Sequence, residues 1–315
     1  MQSIRVTTYN VLANSMAIPQ FIQVRDPHHL TMESRMPLIL HELEIMICNH
    51  AIIALQEVDI ALACGGINEL FLKSNYEVLR AHYSTKPERD GFGNFLCIPN
   101  DLYKVVQYGQ ERIGAHIPTP SLLTDQVGNV FVEAQKRDNV MLYARLESRQ
   151  SGFQFYVFCW HMPCAFWWLP VMALHADALK YRISRIVKAT AFILLGDFNT
   201  VPGTPLYDFI CDTEQKTPNI SPCAGWNPLC DDLRLRDARQ DVCGIAALVT
   251  NRARNSSGKL FQGCLDHIFY AGAALVPVAY NLHKLTSEHE LPNACHGSDH
   301  VPVSCTFEIA ELSSR

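Results

Sequence analysis

Strand-type segments outnumber the helices that could cross between them along this 315-residue chain. "IRVTTYNVLA", "AIIALQEVD", "FGNFLCI", "NVMLYARLE", "FQFYVFCWH", "AFILLGDFN", "CLDHIFYA" and "HVPVSCTFEI" are short and rich in β-branched and aromatic residues,. Helix-period patterns appear at "MPLILHELEIMICNH", at residues 67–74 and 171–188, and from Pro205 onward,. Parallel neighbours each need a crossover of a dozen or more residues, so this ratio predicts two packed mixed sheets of the α/β class with helices outside. No internal repeat is visible, and no composition shift marks a boundary, so residues 1–315 read as one domain,. Residues 212–258 carry Gly, Pro, Asn and many charges and read as surface loops,.

Several of these segments end in polar residues that a pure core would not choose. "ILLGDFNTVPGTP" places Asp197 and Asn199 two residues apart before a Gly/Pro-rich turn. Strand alternation would put both on one face, with Phe198 on the other. Read alone, the pair is a strand end with an Asx-turn, the prolines stopping the strand. Asn10, Glu57, His161, Asp266, Asp299 and His300 sit at comparable places, and each singly reads as a satisfied strand end. If neighbouring strand ends bring them together, several carboxylates share one cleft, where repulsion is costly unless a cation or a shared proton neutralises it. Carboxylate and amide oxygens suit a hard ion, Mg²⁺ or Mn²⁺, rather than zinc. Because Mg²⁺ keeps waters and phosphate oxygens among its ligands, this set points to phosphate-ester chemistry.

Lys plus Arg number 26 against 31 Asp plus Glu, a net charge of −5. That argues against coating long nucleic acids by global charge, although a local basic groove remains open, with residues 234–239 and the Arg252, Arg254, Lys259 group as candidates,. Twelve cysteines show no CxxC pair, and "MQSIRVTTYN" lacks the apolar core of a secretory signal,. They read as mostly buried, reduced thiols of a cytosolic or nuclear protein. The apolar run over residues 153–176 approaches the length of a membrane span. His161, Pro163, Pro170 and His175 interrupt it, so it reads as a core strand, a loop and a helix start, with no membrane partner,.

"TYNVLA", "LQEVD", "GDFNTVPGTPLYDFI", "GCLDHIFY" and "LPNACHGSDHVPVSCTFEI" occur in that order over residues 7–309. Together they resemble the endonuclease/exonuclease/phosphatase superfamily with a DNase I-like fold, and within it the deadenylase branch that includes the carbon-catabolite-repressor-type poly(A) nucleases, nocturnin, the angel proteins and 2′-phosphodiesterase. The resemblance implies a four-layer α/β/β/α sandwich and a Mg²⁺-dependent 3′-exoribonuclease that shortens poly(A) on single-stranded RNA and releases AMP. The alternative it leaves is a phosphatase or phosphodiesterase acting on a small nucleotide, such as a 2′-phosphate, a 2′,5′-linked oligoadenylate or a cyclic phosphate end.

The resemblance also implies roles. Glu57 would hold the main Mg²⁺ with Asn10 beside it, and Asp299 would serve a second metal. Asp197 would orient or deprotonate the attacking water, Asn199 would bind the phosphate, and Asp266 would pair with His300. His161 would donate to a phosphoryl oxygen. Phe261 in "KLFQG" matches an aromatic on which a terminal adenine stacks, while Asn251 in "VTNRA" and Glu88 in "KPERDG" resemble substrate contacts. The chain departs from the branch at "HMPCAFWW", where Phe166 falls at the position of a substrate-touching proline. Trp167 and Trp168 there read as core or as a different stacking surface.

Overall fold

All eight strand-type segments are strands in the computed structural model, which describes residues 3–83, 91–119, 125–211, 221–222, 226–230, 233–244, 248–282, 285 and 290–310. In chain order the elements are β1 (Ser3–Asn10), α1 (Met32–Cys48), β2 (Ile52–Val58), α2 (Ile60–Leu62), α3 (Asn68–Lys73), β3 (Tyr76–His82) and β4 (Gly93–Pro99). There follow β5 (Tyr103–Arg112), α4 (Asp125–Lys136), β6 (Val140–Ser148), β7 (Gln154–His161), α5 (Leu169–Val187), β8 (Phe192–Asp197) and α6 (Pro205–Cys211). The chain continues with β9 (Arg236–Asp237), α7 (Ala238–Cys243), β10 (Asn251–Arg254), β11 (Leu260–Gly263), β12 (Asp266–Ala271), β13 (Leu275–Leu282) and β14 (Val303–Ile309).

Two six-stranded sheets result, ordered β13-β14-β1-β2-β4-β3 and β5-β6-β7-β8-β12-β9, with β10 and β11 as a separate hairpin. Each sheet is mixed: β1/β2 and β7/β8 are parallel, and their other pairings are antiparallel. The inner faces meet each other, with Val6, Ile52, Ala54, Leu96 and Val303 packed in one cluster with Leu142, Val157, Ile193, Leu195 and Ile268. The outer face of the first sheet packs Tyr9, Ile53 and Leu55 with Ile39 and Leu43 of α1 and Phe71 of α3. The outer face of the second packs Phe158, Trp160 and Leu194 with Val171, Leu179 and Ile183 of α5. This is the four-layer α/β/β/α sandwich. Strands covered on both faces read as continuous apolar runs, which is why the central ones stood out in the sequence.

The edge strands did not stand out. β5 alternates weakly, with most of its residues exposed or half-exposed, and β3 and β13 likewise face solvent in part. An edge strand with one wet face carries charges instead of the apolar run. Helix α4 also escaped the periodicity reading. Within residues 212–258, the described parts contain β9, α7 and β10, so the expectation of continuous loop is corrected; these elements are too short to leave a periodic pattern. The apolar run over residues 153–176 divides into β7 and the start of α5, and no described helix is long and apolar enough to cross a membrane. The described cysteines are free thiols, but Cys48, Cys64, Cys164, Cys243 and Cys295 are exposed, so "mostly buried" holds only for Cys97, Cys159, Cys230, Cys264 and Cys305.

Candidate active site

Sheet direction explains why residues distant in sequence meet. The parallel pairs β1/β2 and β7/β8 place Asn10 near Glu57 and His161 opposite Asp197. β12 runs antiparallel to β8 and starts at Asp266, which faces Asp197 in register. β14 runs antiparallel to β1, so Asp299 and His300, just before it, arrive at the same edge. C-terminal ends of the parallel strands and N-terminal ends of their antiparallel neighbours therefore share one rim.

Asp197 is the hub of that rim. Its Oδ2 accepts from Asn10 Nδ2 at 3.0 Å and lies 3.6 Å from His161 Nε2 and 3.5 Å from His300 Nε2. The same Asn10 amide donates to Glu57 Oε1 at 3.1 Å, while Glu57 Oε2 accepts from Ala13 N at 3.1 Å. His161 Nε2 stands 3.9 Å from Glu57 Oε1 and 3.3 Å from Asn199 Nδ2, and Asn199 Nδ2 also donates to the Met162 carbonyl at 2.9 Å. On the other side His300 Nδ1 meets Asp266 Oδ2 at 2.7 Å. Asp299 Oδ2 accepts from Asn251 Nδ2 at 3.2 Å, and Ser298 Oγ donates to the Asn10 carbonyl at 2.6 Å, tying the loop before β14 to the end of β1.

Local backbone conformation aims two of these groups. Alternation along β8 does not account for Asn199: the strand ends at Asp197, and Asn199 has φ 48°, its N–H donating to Asp197 Oδ1 at 2.8 Å. The Asx-turn and the polar tip are thus one structure, since the turn swings the amide back toward His161. Glu57 has φ 62° where the β2/β4 register shifts between Leu55 and Val58. A bulge of this kind re-aims a side chain at the cost of a left-handed residue. Gly196 has its own reason: a Cβ there would sit 1.8 Å from the Trp160 carbonyl oxygen of β7.

Burial disfavours a charge on His300, but the carboxylates of Asp266, Asp197 and Asp299 outweigh it and push its pKa well above the usual histidine range,. Held between two carboxylates, the imidazole is protonated at neutral pH. Asp197, Asp266 and His300 each bring a ligand-type atom within 4.8 Å of the others, the geometry of a candidate divalent-cation site, but His300 could join the ligands only after losing its proton, because an imidazolium has no free lone pair. Glu57 and Asp299 add carboxylates to the same pocket. Each Glu57 oxygen accepts one hydrogen bond from this chain's described groups and retains lone-pair capacity,. An oxygen-rich donor set of this composition fits a hard cation.

Glu57, His161, Asp197, Asn199, Asp299 and His300 floor a pocket of about 870 Å³ that also presents Asn251 and Phe261, with Asn10 and Asp266 buried behind them. Phe261 is 39% exposed, whereas the Asn251 amide is committed to Asp299. Glu88 lies outside the described residues. Of the basic candidates, Lys259 lines the pocket. Arg254 pairs with Glu290, Arg236 with Asp241, and buried Arg239 with Asp237, so the latter two hold β9 and α7 in place.

Four contributors were not anticipated, three at the pocket wall and one in α1. Tyr83 packs its ring 5.9 Å from that of His161, Asn139 Nδ2 donates to the His161 carbonyl at 2.9 Å, and Arg137 adds a cation to the wall. None of these three carries a periodic signal. Arg35 does: it occupies the buried stripe of α1 with Met36, Ile39 and Leu43, and a charge on an apolar stripe marks a specific task. Its guanidinium donates to the carbonyls of Gly297, Val11 and Leu12, clamping the exit of β1 to the loop that delivers His300.

Comparison with known proteins agrees with this architecture. The ANGEL2 crystal structure, described as a 2′,3′-cyclic phosphatase, superposes with a TM-score of 0.74 at 19% identity over 97% of this chain and 95% of that one. The human Nocturnin catalytic domain gives a TM-score of 0.67 at 22% identity over 98% and 94%. In sequence, 2′,5′-phosphodiesterase 12 of Homo sapiens is 25% identical over 347 residues, covering 97% of this chain and 51% of that protein. The chain thus spans about half the length of the curated relatives it matches. These relatives are of the branch that the five motifs resemble. The model of the Endonuclease/Exonuclease/phosphatase family matches residues 7–300, from β1 through the histidine that precedes β14, and the chain belongs to that family.

Proposed function

We propose that this chain is a divalent-metal-dependent hydrolase of phosphodiesters at nucleotide ends, with 2′,5′-linked or 2′,3′-cyclic phosphate ends as its preferred substrates. The observation that carries the chemistry is His300 held between Asp266 at 2.7 Å and Asp197 at 3.5 Å, on the floor of a pocket that also presents Glu57 and His161. The substrate preference is supported by the relatives, one named a 2′,5′-phosphodiesterase and one described as a 2′,3′-cyclic phosphatase. They favour a small nucleotide end over the poly(A) tail that the motifs alone suggested.

Glu57 with Asn10 would hold the Mg²⁺ or Mn²⁺, with Asp299 the candidate for a second ion. When bound, such a cation neutralises charge on the phosphoryl oxygens. Asp197 orients the attacking water and takes its proton. His300, kept protonated by its carboxylate neighbours, and His161, through Nε2, donate to phosphoryl oxygens. Asp266, accepting from Nδ1–H, fixes the orientation of the His300 ring and supports its charge,. The Asn199 amide, lining the pocket beside His161, binds the phosphate, and Phe261 offers its face to the terminal base,.

The test is turnover, side by side, of a 2′,5′-linked oligoadenylate, an RNA ending in a 2′,3′-cyclic phosphate and a 3′,5′-linked oligo-A tail, with Mg²⁺ or with EDTA. Hydrolysis of either of the first two, abolished by EDTA and by Glu57→Ala, is expected. Faster AMP release from the oligo-A tail would reverse the preference. Metal-independent turnover, or none at all, would remove the reading.

A further inference from the structure

Large aromatic side chains stand at the mouth of the pocket rather than in the core. Phe166 is 47% exposed and Trp167 is 74% exposed, both on the loop between β7 and α5, and both line the pocket with Phe261. The ring of Phe166 meets that of Phe261 with centroids 6.4 Å apart, so this pair spans from the loop to the β10–β11 hairpin. Trp167 is different. Among the described residues no aromatic ring packs against it, while its neighbour Trp168 packs onto the α5 core cluster. The sequence favoured core over a stacking surface for both tryptophans, and the fold corrects that for Trp167.

The backbone that carries Trp167 is pinned. Trp168 N donates to the Ala165 carbonyl at 2.8 Å, and Val171 N donates to the Trp168 carbonyl at 3.0 Å, as the loop turns into α5. An indole exposed to this degree, on a fixed turn beside a polar floor, is a surface kept for a ligand. The walls identify the ligand's chemistry. Lys259 lines the same pocket, as does Arg137, which pairs with Glu133 at 2.8 Å, and aromatic faces interleaved with cations are how proteins hold successive bases and phosphates of a single strand. A pocket of about 870 Å³ is near the upper end for small-molecule sites.

The geometry points to Trp167 as the platform for a second nucleobase, next to the terminal one, so that the site takes an oligonucleotide in preference to a mononucleotide. This rests on the nucleotide-end hydrolase reading above. The Phe166–Phe261 side serves the terminal base, and Trp167 serves its neighbour.

The experiment compares wild type, Trp167→Ala and Trp167→Phe on adenosine 2′,3′-cyclic phosphate and on a 2′,5′-linked tetra-adenylate, with tryptophan fluorescence titrated by the same compounds in EDTA. Trp167→Ala is expected to raise KM for the tetra-adenylate about fivefold or more, the lower end of base-stacking losses, with kcat within about twofold. KM for the mononucleotide stays unchanged, and Trp167→Phe restores most of the loss. Quenching by the tetra-adenylate in EDTA disappears in Trp167→Ala. Equal effects on both compounds, or no effect on either, overturn the platform and leave the hydrolase reading intact. Trp167-dependent quenching in a protein that turns over neither compound keeps the platform and removes the hydrolase reading.

Discussion

Replacing Glu57 by alanine and by glycine separates what its carboxylate does from what its backbone costs. Both variants delete the carboxylate, and both lose the hydrogen bonds from Asn10 Nδ2 and Ala13 N, each at 3.1 Å. At about 1 kcal/mol apiece, these losses destabilise each variant by about 1–2 kcal/mol. They differ at φ 62°. A left-handed conformation costs a residue with a Cβ about 1–2 kcal/mol and glycine almost nothing. Glycine gives back about 0.4–1 kcal/mol through the greater freedom of its unfolded chain. The net expectation is that Glu57→Gly is more stable than Glu57→Ala by about 0.5–1 kcal/mol, although glycine in a strand ordinarily weakens it. Urea unfolding in EDTA, with the midpoint compared at equal m, measures this difference. An alanine variant as stable as the glycine variant would refute the argument that strain is stored at this bulge. Adding Mg²⁺ extends the test: at a hundred times Kd the wild type gains about 2.7 kcal/mol, and neither variant should gain it if Glu57 holds the ion.

Asp266→Asn removes the nearest carboxylate from His300, so its pKa falls, the alkaline limb of the kcat profile moves to lower pH, and kcat drops about a hundredfold or more; an unmoved limb in a pH–rate measurement would contradict the pairing. Gly196→Ala puts a methyl group 1.8 Å from the Trp160 carbonyl and should cost more than about 3 kcal/mol, read as loss of soluble protein or of a cooperative thermal transition. His175, buried in α5 with Nε2 2.9 Å from the Ala134 carbonyl, is pulled by burial from 6.5 down to about 4. Between those values the folded form binds fewer protons than the unfolded chain, so stability present above pH 6.5 is lost as the pH falls toward 4, by about 3 kcal/mol. His175→Gln should flatten that part of the stability profile, and denaturant unfolding of both proteins across the window checks it.

The strands whose two faces are both covered were legible in the sequence, because apolar runs such as "FILL" and "IIAL" have no other stable destination. So were the polar residues at their ends, because desolvating a carboxylate or an imidazole without purpose is expensive. Elements with a wet face, β3, β5 and β13, were not legible, since an edge strand need not be apolar.

Composition and spacing determined that this chain builds two mixed sheets and sets acids, amides and imidazoles at strand ends. Only the tertiary structure decided which of them touch. Asp197 faces Asp266 through the β8/β12 register, and the Asn199 amide turns back through a left-handed residue rather than by strand alternation. Trp167 stands in solvent while Trp168, half-buried, packs against the core. Local sequence encodes local periodicity, whereas contacts between residues tens to hundreds of positions apart depend on sheet order, register and the conformation of single residues, which no short window of sequence carries.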